Sequence, residues 1–211
     1  MTTRIALLAL LAALVLPSAV AQADNPKLVA VVGTNDAFVI SLRDANGNAI
    51  TQLAPGTYDI SVSDRSEAHN FHLKGPGVDQ STPIGEKQET TWTVTIGDGR
   101  YTYMCDAHSS VMRGYFLAGA LTPVALTGSV GPKRTISLKP KSALPGPAVV
   151  TVNDRSKTDN FHLTGPGVNK KTGVKTRGKA TWTVNLVPGV YTYRSDKTKK
   201  LRGSFVVNFP A

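Results

Sequence analysis

An internal repeat limits the possible folds more than any other feature of this chain. The segment DRSEAHNFHLKGPGV begins at Asp64, and DRSKTDNFHLTGPGV begins at Asp154, an offset of 90 residues. The same offset carries Thr91-Trp92-Thr93-Val94 onto Thr181-Trp182-Thr183-Val184, and Tyr101-Thr102-Tyr103 onto Tyr191-Thr192-Tyr193. Two copies do not make a solenoid, and each is long enough to bury a core of its own. The chain therefore reads as a tandem duplication of one small domain, residues 24–119 and 120–211, joined near Gly119 to Pro123.

Each copy reads as all-β. Ala37 to Leu42, Tyr58 to Ser63, Thr91 to Ile96 and Tyr101 to Met104 are rich in β-branched and aromatic residues. Asn46-Gly47, Pro55-Gly56, Gly75-Pro76-Gly77 and Gly97-Asp98-Gly99 supply turns between them. The second copy repeats the pattern with Arg134 to Leu138, Ala148 to Asn153, Thr181 to Val187 and Ser204 to Asn208. Short strands at this spacing predict two tandem Greek-key β-sandwiches. Trp92 and Trp182 hold the same place in both copies, which predicts core packing.

Residues 1–23 stand apart from the repeat. Arg4, an apolar run from Ile5 to Leu16 and small residues up to Ala23 have the form of a secretory signal peptide, cleaved after Ala21 or Ala23. The run is shorter than the ~20 residues a membrane span needs, so no membrane span is expected. The mature chain is expected to be exported, to a periplasm or the cell exterior.

In an exported chain a single cysteine asks for an explanation. Cys105 lies in YTYMCDAHSSVMRG, with His108 three residues on and Met112 four beyond that, a C-x2-H-x3-M pattern. A thiolate, an imidazole and a thioether so close together suit a soft, redox-active metal. Two His and one Cys with a weak axial Met is a copper arrangement. A thioether is a poor zinc ligand, which disfavours zinc. His69 is the candidate for the second imidazole.

These residues resemble the cupredoxins, the plastocyanin, amicyanin and azurin family of blue type 1 copper proteins. The resemblance rests on His69-Asn70, the alternation Tyr101-Thr102-Tyr103, Cys105, His108, Met112 and Gly114. It implies one copper ion in the first copy, held by His69, Cys105, His108 and Met112, with His108 nearest solvent. It also implies that Asn70 bonds across to the loop bearing the cysteine. The chain departs from the plastocyanin pattern at Met104, where that group has a tyrosine.

The second copy serves as an internal control. His69 becomes Asp159, Cys105 becomes Ser195, His108 becomes Thr198 and, after a one-residue deletion, Met112 becomes Leu201. Asn, Phe, His and Leu beside the first of these are kept. Loss of one metal site from a duplicated fold produces this pattern. The control also bears on His72, which forms a tempting HxxH with His69. Alternating strand faces put the two on opposite sides, and His162 keeps the position where the ligands are gone. Both are read as structural.

The expected function is one-electron transfer, with an unidentified redox partner protein. The four proposed ligands leave no open position for a substrate, so no enzyme activity is expected. A multicopper oxidase or nitrite reductase needs further histidine-rich sites, and the chain has only four His. Copper storage or delivery is the alternative. A second alternative comes from charge. Residues 24–119 hold 7 Lys and Arg against 11 Asp and Glu, whereas residues 120–211 hold 16 against 3. Lys170, Lys171, Lys175, Arg177 and Lys179 read as one loop region. Arg194, Lys197, Lys199, Lys200 and Arg202 surround the vanished site. Such a surface attracts an acidic protein surface or an anionic envelope polymer. Nucleic acid is not an expected partner of an exported chain.

Overall fold

In the computed structural model, which describes residues 24–210, eighteen strands form two β-sandwiches built alike. The leader-like segment 1–23 lies outside the described residues. The first sandwich comprises β1 (Lys27–Val32), β2 (Ile40–Asp44), β3 (Gln52–Leu53), β4 (Gly56–Asp64), β5 (His72–Gly75), β6 (Val78–Ser81), β7 (Gln88–Ile96), β8 (Gly99–Met104) and β9 (Arg113–Ala118). The second comprises β10 (Val124–Val130), β11 (Ile136–Lys139), β12 (Ser142–Ala143), β13 (Gly146–Asp154), β14 (His162–Gly165), β15 (Val168–Lys171), β16 (Gly178–Leu186), β17 (Gly189–Arg194) and β18 (Arg202–Val207).

The sheets repeat as the sequence does. Orders β2-β1-β4-β7 and β3-β9-β8-β5-β6 recur as β11-β10-β13-β16 and β12-β18-β17-β14-β15. The reason is visible in β4, where Tyr58, Ile60 and Val62 turn inward between the outward Asp59 and Ser61. In β13 Ala148, Val150 and Val152 do the same. A period of two makes one wet and one dry face. Each sandwich closes on its own apolar cluster, one running from Leu28 to Ala118 and the other from Leu126 to Val207. Trp92 faces Ile60 and packs 6.0 Å from Phe71, and Trp182 faces Val150 and lies 6.4 Å from Phe161. Both tryptophans belong to core packing, as expected.

The repeated YTY motif has a packing role. Tyr101 is fully buried, its hydroxyl donating to Pro76 O at 3.0 Å and accepting from Gly97 N at 3.0 Å. Tyr191 does the same with Pro166 O and Val187 N, both at 3.1 Å. Gly75 and Gly165 lie against these rings, where a Cβ would collide with Tyr101 or Tyr191. That close approach accounts for the first glycine of each GPG, and positive φ at Gly77 and Gly167 for the last.

Two strands start later than expected. β2 starts at Ile40, so Ala37 to Val39 belong to a loop, and β11 starts at Ile136 rather than Arg134. Asn35 and Asp36 have positive φ, as do Lys133 and Arg134, and left-handed backbone interrupts a strand. The sandwiches also touch. Arg100 Nε donates to Pro145 O at 2.6 Å and Thr102 Oγ1 to Pro210 O at 2.9 Å. Among the described residues no helix is long and apolar enough to cross a membrane.

Candidate metal centre

The two segments that meet at one end of the first sandwich are each held by local hydrogen bonds. His69 lies in the loop between β4 and β5. Within it Ser66 N donates to Asp64 Oδ1 at 3.3 Å and Ala68 N to Ser66 Oγ at 3.1 Å. Thr82 Oγ1 donates to Asp64 Oδ2 at 2.5 Å and accepts from Phe71 N at 2.8 Å. Burial pushes the Asp64 carboxyl up, against the opposing Thr82 hydrogen bond. Ser156, Asp154 and Thr172 rebuild these contacts in the second sandwich. The DRS…NFHL repeat is therefore a loop scaffold, kept whether or not it carries ligands.

The other segment follows β8. Cys105 comes directly after the strand, a 3-10 turn covers Asp106–His108, and β9 begins just past Met112. Cys105 N donates to Met112 O at 3.0 Å and Met112 N to His108 O at 2.8 Å. Cys105 thus closes β8, and Met112 sits where the chain re-enters the sheet at β9.

Together the segments bring His69, Cys105 and His108 into one cluster. His69 Nδ1 lies 3.1 Å from His108 Nδ1, and Cys105 Sγ lies 3.7 and 3.6 Å from the same two nitrogens. The point in their plane equidistant from all three is about 2.0 Å from each, close to the metal bond lengths of ~2.0–2.1 Å to nitrogen and ~2.3 Å to sulfur. The three donor atoms thus fit a single first-row metal ion. Cys105 and Met112 are wholly buried and His69 nearly so, while His108 is the one partly exposed member of the cluster. Met112 packs in the apolar core of this domain.

Asn70 ties the segments together. Its Nδ2 donates to Asp106 Oδ2 at 2.7 Å and Thr82 O at 3.2 Å, and its Oδ1 accepts from Asp106 N at 2.8 Å. Asn160 makes the same three bonds to Asp196 and Thr172. His72 points away from the cluster, with Nδ1 2.8 Å from Asp106 and Nε2 2.6 Å from Asp79. Strand alternation is not what turns it away from His69. His69 lies in the loop before β5 and His72 begins that strand, so the two are not neighbours on one strand. Burial lowers the His72 pKa, but the two carboxylates outweigh it and leave it above the ordinary histidine value.

In the second sandwich the equivalent point is filled by hydrogen bonds. Ser195 Oγ donates to Asp159 Oδ1 at 2.8 Å and accepts from Lys197 N and Thr198 N, both at 3.1 Å. Burial raises the Asp159 carboxyl, but hydrogen bonds from Thr198, Ser195 and Thr158 bring it below the ordinary value.

The basic residues Lys170, Lys171, Lys197, Lys199, Lys200 and Arg202 are all exposed. Lys170 and Lys171 lie on β15 and Lys179 on β16, so the supposed single loop region spans strands and a loop. Lys171 and Arg194 both pair with His162, and Arg194 pairs with Arg202, so three cationic side chains share one row across the sheet, with Asp196 against His162 and Arg194.

Phe38 was missed by sequence reasoning. Its ring centre lies 5.2 Å from that of His69 and 4.7 Å from that of His108, edge to face with both. An apolar stretch read as strand concealed it. The available signal was the hairpin length. Seven residues separate Val32 from its partner Ile40, and five separate Val130 from Ile136.

No protein-family model matches the chain, and no curated protein matches it by sequence. Solved structures resemble it in three dimensions. A copper-containing nitrite reductase from Thermus scotoductus SA-01 matches 89% of this chain and 68% of its own, with 11% identity and a TM-score of 0.32. A multicopper oxidase matches 86% and 88%, with 13% identity and a TM-score of 0.30. The multicopper oxidase McoA from Aquifex aeolicus matches 89% and 62%, with 10% identity and a TM-score of 0.31.

Proposed function

We propose that this is an exported one-electron transfer protein that holds one copper ion in its first sandwich. The reading rests on one observation: two imidazole Nδ1 atoms and a buried thiol converge within bonding reach of one point, in the first copy only. Copper bound there supplies a one-electron couple. His69, Cys105 and His108 would hold it, and the buried Met112 thioether would serve as a soft fourth ligand. Hydrogen bonds fix both ligand segments before metal arrives, which keeps reorganisation between oxidation states small. Asn70 sets the distance between them, as partners behind metal ligands do. With four side chains around the ion no position is left for a substrate, so the protein acts as a carrier rather than an enzyme, handing electrons to and from a partner protein.

The test is the absorption and electron paramagnetic resonance spectrum after adding cupric ion, beside Cys105→Ser. An intense blue band with narrow copper hyperfine splitting, lost in the variant, supports the reading. An identical spectrum in both proteins removes it. Reversible oxidation and reduction at an electrode separates a carrier from a storage or delivery protein.

A second role is proposed for the basic sandwich. Its cationic row and the exposed Lys197, Lys199 and Lys200 surround a site sealed by Asp159 and Ser195, a surface suited to an acidic protein partner. Neutralising those three lysines should weaken partner binding and flatten its salt dependence. Unchanged binding removes the role.

A further inference from the structure

The two copies differ in one loop in a way that the ligand substitutions do not account for. The hairpin between β1 and β2 is two residues longer than the one between β10 and β11, and the longer form carries Phe38 over both histidines. The shorter loop, Gly131 to Thr135, holds no aromatic residue. An aromatic ring that is 60% exposed, yet sits edge to face with two imidazoles, has forgone burial elsewhere for this position.

Backbone hydrogen bonds fix the loop that carries that ring. Gly33 N donates to Val39 O at 3.0 Å, Asp36 N to Gly33 O at 2.9 Å and Ala37 N to Thr34 O at 3.2 Å. Asp36 O lies 3.4 Å from His69 Nε2, so the same loop also meets the far side of that imidazole. Gly33 has φ +66°, and a Cβ there would run into Ser66 and lie 3.1 Å from His69 Cδ2. The loop thus lies tight against the His69 segment and depends on a glycine to do so.

Of the three clustered donors, His108 alone is partly exposed, and Phe38 is the ring nearest to it. We propose that Phe38 is a fixed lid on the His69–Cys105–His108 triangle, closing the donor atoms to water, small anions and thiol reagents. It is a positioning residue, acting on the site through the two imidazoles. The inference deepens the copper reading at the same site, but the lid itself is a property of the protein with or without metal.

Two measurements on the full chain test it. In metal-free protein, alkylation of Cys105 by iodoacetamide is expected to be at least tenfold faster in Phe38→Ala than in the parent, with Phe38→Leu near the parent rate. Circular dichroism establishes that the variants are folded. Oxidation of the Cys105 thiol by hydrogen peroxide in metal-free protein should likewise be faster in Phe38→Ala than in the parent. Equal alkylation rates in folded Phe38→Ala and parent overturn the lid. If the parent takes up no copper, the electron-transfer reading falls while the alkylation result still decides the lid.

Discussion

The guanidinium of Arg113 lies 4.1 Å from the centre of the Phe209 ring. Arg113 directly follows Met112 on the ligand loop, and Phe209 lies just past β18 of the second sandwich, so one contact joins the candidate site to the other domain. Tyr115 meets the same ring edge to face at 5.7 Å, and Thr102 holds the next residue by its carbonyl. The C-terminal tail therefore clasps the outer face of β8 and β9.

Phe209→Ala removes a cation–π contact and an aromatic pair, which together contribute about 1–3 kcal/mol. The variant is expected to unfold its first domain at lower denaturant and to scatter X-rays with a larger radius of gyration. An unchanged midpoint and radius would mean that the clasp contributes nothing.

Asn70→Ala and Asn160→Ala form a matched pair. Each strips its loop of three hydrogen bonds and leaves buried groups unpaired, at about 1–3 kcal/mol per group. Both should destabilise their own domain in chemical denaturation. Only Asn70→Ala should also weaken copper retention, by about 10–100-fold. Equal copper loss in the two variants contradicts the role given to Asn70.

Ser195→Ala tests the sealed second site. Asp159 then lacks a hydrogen bond that favours its ionised form, at about 1–3 kcal/mol. Because the folded pKa of Asp159 lies below its unfolded value, its contribution is present above the unfolded pKa and is lost as pH falls through the folded one. The stability gap between parent and variant should therefore be widest at neutral pH and narrow under acid. A gap constant with pH would rule out ionised Asp159 as the acceptor.

His72 carries the opposite sign. Its folded pKa is raised, so its contribution is full below the unfolded value of about 6.5 and fades as pH rises through the folded one. His72→Gln should cost more stability at pH 6 than at pH 9. Nuclear magnetic resonance titration of its ring should give a pKa above that of free histidine. A ring titrating below the free value would show that burial outweighs Asp106 and Asp79.

Much of this protein is legible in one dimension because it is written twice. Repeated strands, turns and the Asp64 and Asp154 loops obey local rules of alternation and turn chemistry. Comparing His69, Cys105 and His108 with Asp159, Ser195 and Thr198 separates candidate ligands from scaffold without any coordinates. The convergence of two nitrogens and a sulfur, the lid over them and the tail clasp are not written locally. Phe38 reads as a strand residue until two left-handed residues and two extra loop positions turn it over the histidines. Phe209 reads as an ordinary chain end until the sandwiches pack. Backbone periodicity constrains near neighbours along the chain, whereas these contacts join residues from distant segments and exist only once the sheets are assembled.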